Sequence, residues 1–253
     1  MKRCFGKVVA PRCGTGVVAF LAISLMATAL PAQPANREAQ AWRRLVRALD
    51  PANRTSRLED IWQLIRARPP GLPMVLEYMG EHEPDPSIRS EAILGLAKLK
   101  DPTSEPALRR IRARLGDPNP QAAADDPLDF SRIYTLGALY RITGEPGLRD
   151  QLLSLLRSPH ISQGSFAVRA LSLLREVQVQ EALYALITEG DPLLSCQAAD
   201  DLLDDQNTQE VRRRILAAIN ARPVVEIIQG QPVREVCLDE ILARLRRQGK
   251  RSE

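Results

Sequence analysis

Asp200, Asp201, Asp204 and Asp205 form the densest cluster of chemically active side chains in the chain. On a helix, positions 200/204 and 201/205 fall one turn apart, so each pair shares a face. Carboxylates so close repel one another unless an arginine, a partner or a divalent ion sits nearby; an ordinary solvated face is the expectation. A second acidic group, Asp125, Asp126 and Asp129, lies in the stretch GDPNPQAAADDPLD from Gly116 to Asp129. It lacks the glycine and the spaced oxygen ligands of a dedicated calcium loop, so a solvated connection is expected there too. Only two histidines are present, His82 and His160, which excludes a His-rich metal site. An acyl-transfer triad would need one of them, and no Gly-x-Ser-x-Gly context supports one. Walker-type and Rossmann glycine patterns are also missing. Gly164-Ser165 sits at an expected helix start, where serine caps more often than it attacks. These residues imply no catalytic site, no cofactor and no metal centre.

The elements that would carry these residues read as short helices. In PSIRSEAILGLAKLKDPTSEPALRRIRARLGDP, from Pro86 to Pro118, Ile88, Ala92, Leu96 and Leu99 fall at helical spacing. Asp101-Pro102-Thr103 then breaks the helix, because proline cannot continue the hydrogen-bond ladder. Ala107, Leu108, Ile111 and Leu115 begin a second stripe. The unit recurs 75 residues on: Ala92, Leu96, Leu99, Ala107, Leu108 and Ile111 land on Ala167, Leu171, Leu174, Ala182, Leu183 and Leu186. Another copy spans Ser131 to Ser158, and weaker ones span Leu194 to Ala221 and Leu58 to Met79. Two helices per period of this length point to an all-α chain, an α-solenoid of about five stacked helix pairs over residues 36–253. Ala92, Leu96, Leu108, Ile111, Leu139, Leu152, Leu171, Leu183, Leu202 and Ile215 are the expected inward positions.

Other local signals extend this plan. Residues 36–49, with Trp42, Leu45, Val46 and Leu49 on one face, suit a helix that caps the open end. Ser56-Arg57-Leu58-Glu59 has the pattern of a capping box opening the next helix. PVVEIIQGQP, residues 223–232, is β-branched and suits a short extended segment and a turn. A final helix from Val233 to Leu245 follows, within a C-terminal unit of residues 223–247.

Residues 1–32 differ in kind. Lys2, Arg3, Lys7 and Arg12 precede the apolar run VVAFLAISLMA, and Ala27-Thr28-Ala29 or Leu30-Pro31-Ala32 supplies small residues for cleavage near 29 or 32. This is the pattern of a secretory signal peptide, and the run is short for a membrane span. The chain is therefore expected in the periplasm or secreted, with no stable membrane span after cleavage. The full sequence carries 35 basic and 31 acidic residues, and four of the bases lie in the leader, so the remainder is formally neutral. Neutrality gives no general attraction to nucleic acid or anionic lipid. Arginine greatly outnumbers lysine, a bias that a GC-rich genome produces without functional cause. Cys4 and Cys13 leave with the leader; Cys196 and Cys237 remain as an even pair in an oxidising compartment, either bonded or as two buried thiols.

The alanine and leucine pattern of the first helix, the Asp-Pro turn and the Ala-Leu of the second resemble HEAT repeats, nearest the short bacterial, bilin-lyase-like type. The resemblance covers about Leu58 to Ala221. It implies a curved scaffold that grips another protein, with the second helix of each pair lining the concave side. Turning by 100° per residue from the apolar stripes then gives Arg109, Arg110, Asp150, Ser154, Arg157, Tyr184, Thr188, Arg213 and Arg214 as the partner-facing residues, a basic ridge suited to an acidic segment. Two enzyme classes share the repeat. Bilin lyases are cytoplasmic, against the leader. Alkylpurine DNA glycosylases use a basic, tryptophan-lined groove, whereas Trp42 and Trp62 fall here on expected core stripes.

Overall fold

The computed structural model describes residues 36–50, 54–119, 126, 128–223, 226–227, 231–232 and 236–249. The expected leader and Asp125 lie outside them, as does the side chain of Trp42. The described chain is all-α apart from one two-residue ladder. Its helices are α1 (Asn36–Leu49), α2 (Arg54–Ala67), α3 (Leu72–His82), α4 (Pro86–Leu99), α5 (Glu105–Leu115), α6 (Asp129–Thr143), α7 (Pro146–Leu155), α8 (Ile161–Ser172), α9 (Val177–Glu189), α10 (Pro192–Gln206), α11 (Gln209–Ala221) and α12 (Val236–Gly249). A 3-10 turn, Pro102–Ser104, joins α4 to α5. Among the described residues, no helix is long and apolar enough to cross a membrane.

Asp-Pro pairs start helices repeatedly. The Asp85 carboxylate accepts from the backbone N–H of Ser87 at 2.9 Å, and Asp191 does the same for Leu193 at 2.9 Å. In each case proline occupies the first helical position, where no N–H is needed. Asp101 caps the 3-10 turn in the same way.

The even-numbered helices form one row: α2 packs on α4, α4 on α6, α6 on α8 and α8 on α10. Of the odd-numbered helices, α3 packs on α5 and α9 on α11, while α1 covers α2 and α12 covers α10 and α11. Glycines let helices approach closely in both rows, Gly80 of α3 against Ile111 of α5 in the odd one. A Cβ built on Gly137 of α6 would lie 2.9 Å from the Ala170 Cβ of α8, and one on Gly95 of α4 would lie 2.7 Å from the Ile65 Cδ1 of α2. The core runs between the rows. Ala92, Leu96, Leu108, Ile111, Leu139, Leu152, Leu171, Leu183, Leu202 and Ile215 are all fully buried, as the stripes require.

Arginines tie successive helices together through the carbonyls that a helix leaves unpaired at its C-terminus. Arg57 donates to Ala48 O at 2.9 Å, Arg89 to Glu83 O at 3.0 Å, Arg114 to Gly80 O at 3.1 Å and Arg132 to Leu115 O at 2.8 Å. Arg222 reaches Ile187 O and Gly190 O, each at 3.0 Å. Lysine cannot present several fixed donors to such groups, so part of the arginine excess has a structural use.

Several local expectations change. Ser56 does not open a helix. The helix begins at Arg54, since Arg57 must lie within it to reach Ala48 O and the buried Glu83 carboxylate. Ser165 sits inside α8, not at its start, and its hydroxyl donates to Gln197. Asp129 belongs to the first turn of α6, where it is buried against Arg132 and Gln163; Asp126 accepts from Leu128 N and Arg132. Arg132 supplies the positive charge that this acidic group needs. The extended segment pairs with itself, Glu226 opposite Pro232 and Ile227 opposite Gln231, and the last helix starts at Val236. Its Leu238, Ile241, Leu242 and Leu245 are buried. Cys196 of α10 and Cys237 of α12 are joined as a disulfide, with Cα atoms 6.0 Å apart, inside the range that admits the bond.

Leu171→Ala should lower unfolding stability in urea by about 2 to 5 kcal/mol, since helices fixed by close neighbours collapse poorly around a cavity. A loss under about 1 kcal/mol would contradict this packing.

Candidate functional site

Side chains from five helices meet along the exposed side of the even row. Trp62 on α2 lies under two cations: Lys98 Nζ of α4 is 4.7 Å from its ring centroid and the Arg169 guanidinium of α8 is 5.4 Å away. Arg169 pairs with Glu91 of α4 at 3.3 Å. Lys98 pairs with Asp205 of α10 at 2.8 Å, across 107 residues, and Ser172 of α8 donates to the other oxygen of Asp205 at 2.8 Å. Gln197 Nε2 reaches Asp201 at 3.3 Å and the carbonyl of Ser165 at 2.9 Å. Tyr134 of α6 is buried beside Arg169.

These contacts skip helices. Glu91 and Arg169 sit two places apart in the row; Trp62 and Arg169, and Lys98 and Asp205, sit three places apart. Among the described residues, ion pairs on the odd-numbered side join only adjacent helices, as with Arg110 to Glu81 and Arg214 to Glu181. The even, first helices therefore converge. Close approach at Gly95 and Gly137 accompanies these contacts.

Convergence leaves the seam half-buried, and its acids respond. Burial pushes Asp201 up to about 6, against the attraction of Arg169 and the Gln197 hydrogen bond, with Asp205 and Asp200 adding repulsion. Glu91 is raised by the same loss of water, opposed by Arg169 and Lys98. Burial likewise raises Tyr134. The four aspartates thus divide. Asp201 and Asp205 face the seam, Asp200 pairs with Arg244 at 2.7 Å, and Asp204 is exposed. They are not one solvated face. Trp62 also departs from its expected place: it lies at the edge of the core, half-buried, beneath two cations. No local pattern signals this, because its partners come from α4 and α8.

The residues expected to face a partner lie mostly at the surface of the odd helices, but as matched charges. Arg109 bonds Glu105 and Glu145, Arg110 bonds Glu81, Arg213 bonds Glu210 and Arg214 bonds Glu181. Asp150 pairs with Arg149, Ser154 donates to Gln151 O, and Arg157 is exposed. Thr188 donates to Tyr184 O. Tyr184 points inward instead, 6% exposed, with the Arg214 guanidinium 4.0 Å from its ring centroid. The surface they form is charge-balanced rather than basic.

Chemically, the seam holds and orients charge. His82 stacks on Tyr78 and lies near Glu81, and the His160 N–H donates to Ser158 Oγ. Among the described residues no group of three His, Cys, Asp or Glu is placed to hold a metal ion. No known protein family, no curated protein and no solved structure matches this chain.

An acid raised on folding holds its proton more tightly in the folded state, so its contribution favours folding below about pH 4 and is lost as pH rises through about 6. Asp201→Asn should therefore match the parent near pH 4 and exceed it above pH 7 by about 1 to 3 kcal/mol in denaturant melts. A variant destabilised across the whole pH range would contradict this account of Asp201.

Proposed function

We propose that the protein is an exported, HEAT-like α-solenoid of five helix pairs, α2/α3 to α10/α11, which binds another protein. The repeat rests on the register. Ala92, Leu96 and Leu108, and their counterparts Ala167, Leu171 and Leu183 one 75-residue step away, occupy equivalent buried places. The observation that carries binding is the surface. Its charges are largely consumed in ion pairs, while Met74 and Tyr78 on α3, Val177 (75% exposed) and Leu193 (58% exposed) stand in water. Large apolar side chains among neutralised charge suit a protein partner better than a polyanion. Export follows from the leader pattern and agrees with the Cys196–Cys237 bond, which an oxidising compartment sustains.

A nucleic-acid-processing reading draws on Trp62, which sits beneath Lys98 and Arg169 much as a tryptophan-lined groove would need. Two of those bases already neutralise carboxylates, Lys98 that of Asp205 and Arg169 that of Glu91, so they offer little to a phosphate backbone. The scaffold reading is preferred.

The test is crosslinking in the producing cell, purification of the mature chain and identification of bound molecules by mass spectrometry. One or a few envelope proteins, crosslinked to helix faces, are expected. Recovery of nucleic acid without protein would overturn the reading in favour of nucleic-acid processing.

A further inference from the structure

The C-terminal ends of the even helices gather at one edge of the row, because alternate helices of antiparallel pairs run the same way. Three arginines mark that edge. Arg68 closes α2, donating its N–H to Leu64 O at 2.8 Å; Arg141 lies in the last turn of α6; Arg175 follows α8. Arg141 is half-buried, and both Arg68 and Arg175 lie near enough to repel it. The opposing charge is Asp205, which already accepts from Lys98 and Ser172. Among the described residues the guanidinium groups of Arg68, Arg141 and Arg175 make no hydrogen bond or ion pair. Burial is the largest influence on the Arg141 guanidinium; Asp205 opposes it, Arg175 and Arg68 add to it, and the group is held below its ordinary value.

This differs from many of the surface arginines. Arg109, Arg110, Arg112, Arg213, Arg214 and Arg244 each meet a carboxylate. A base near a helix C-terminus gains from the unpaired carbonyls there, which accounts for one arginine per helix. It does not relieve the repulsion that Arg175 and Arg68 each exert on Arg141. Arg68 also holds φ of +48°, the left-handed conformation that glycine adopts at lower cost, so a base is kept where the backbone would favour glycine.

We propose that Arg68, Arg141 and Arg175 form the receptor for a carboxylate-rich segment of the partner protein. The inference rests on the scaffold reading and deepens it: apolar faces supply contact area, and this edge selects an acidic stretch. Guanidinium groups bind carboxylates bidentately, and successive Asp or Glu side chains can serve several arginines at once. The chain beyond its leader is formally neutral, so the attraction is local to this edge.

The probe is a hexaglutamate peptide titrated into the mature chain by calorimetry, with inorganic phosphate and a single-stranded oligonucleotide alongside. Saturable peptide binding is expected. The double variant Arg141→Gln/Arg175→Gln should bind at least about tenfold more weakly, with the gap narrowing as salt rises. The same variant should melt at or above the parent temperature, since like charges have been removed, so misfolding would not explain the loss. Arg112→Gln/Arg244→Gln, which disrupts matched surface pairs, should leave the titration unchanged. Three results would each overturn the receptor: no saturable peptide binding, equal binding by Arg141→Gln/Arg175→Gln, or phosphate or oligonucleotide binding tighter than the peptide. The scaffold reading fails separately. If crosslinking captures a partner that the double variant retains in full, the edge is not the receptor and the scaffold stands; if no partner is captured, the scaffold falls whatever the peptide does.

Discussion

The close approach of the even helices is the constraint on which the rest depends. Gly137 lets α6 lie against Ala170 of α8, and Gly95 admits Ile65 and Leu76 where a side chain would collide. Small residues at these contacts bring backbones together, and residues far apart in sequence come within reach. Lys98 meets Asp205, Arg169 meets Glu91, and Trp62 lies under both cations. The odd helices, spread on the other side, exchange ion pairs only with neighbours.

Close approach has an electrostatic consequence. Charged side chains on the converging face lose water, and each half-buried carboxylate then needs a cation or a raised pKa. Asp205 and Glu91 have cations, while Asp201 relies on an amide and a more distant arginine and is pushed up. On the opposite side the charges stay hydrated, and pairs such as Arg213 with Glu210 contribute little to stability. The stabilising arginines are the buried ones, Arg57, Arg89 and Arg222, which satisfy carbonyls that would otherwise be stranded at helix ends.

The core was readable from the sequence because burial follows local periodicity: every expected inward position, from Ala92 to Ile215, is buried. For Cys196 and Cys237 the sequence leaves a bond and two buried thiols as alternatives, and the structure joins them. The seam was not readable. A helical wheel turns Trp62 toward the core and leaves the aspartates in solvent, because it contains no information about a helix three places along the row. Tyr184 was placed outward by the same arithmetic, yet it lies under Arg214. The Ser56 pattern fits a helix start locally, but the long-range bonds of Arg57 place it inside the helix.

The central claim, that first helices converge until non-neighbours share charge, is tested most directly by a double-mutant cycle on Lys98 and Asp205, using Lys98→Met and Asp205→Asn in urea melts. Contact predicts a coupling of about 0.5 to 1.5 kcal/mol that weakens at high salt. Additive single effects, with coupling within about 0.3 kcal/mol of zero, would contradict the convergence.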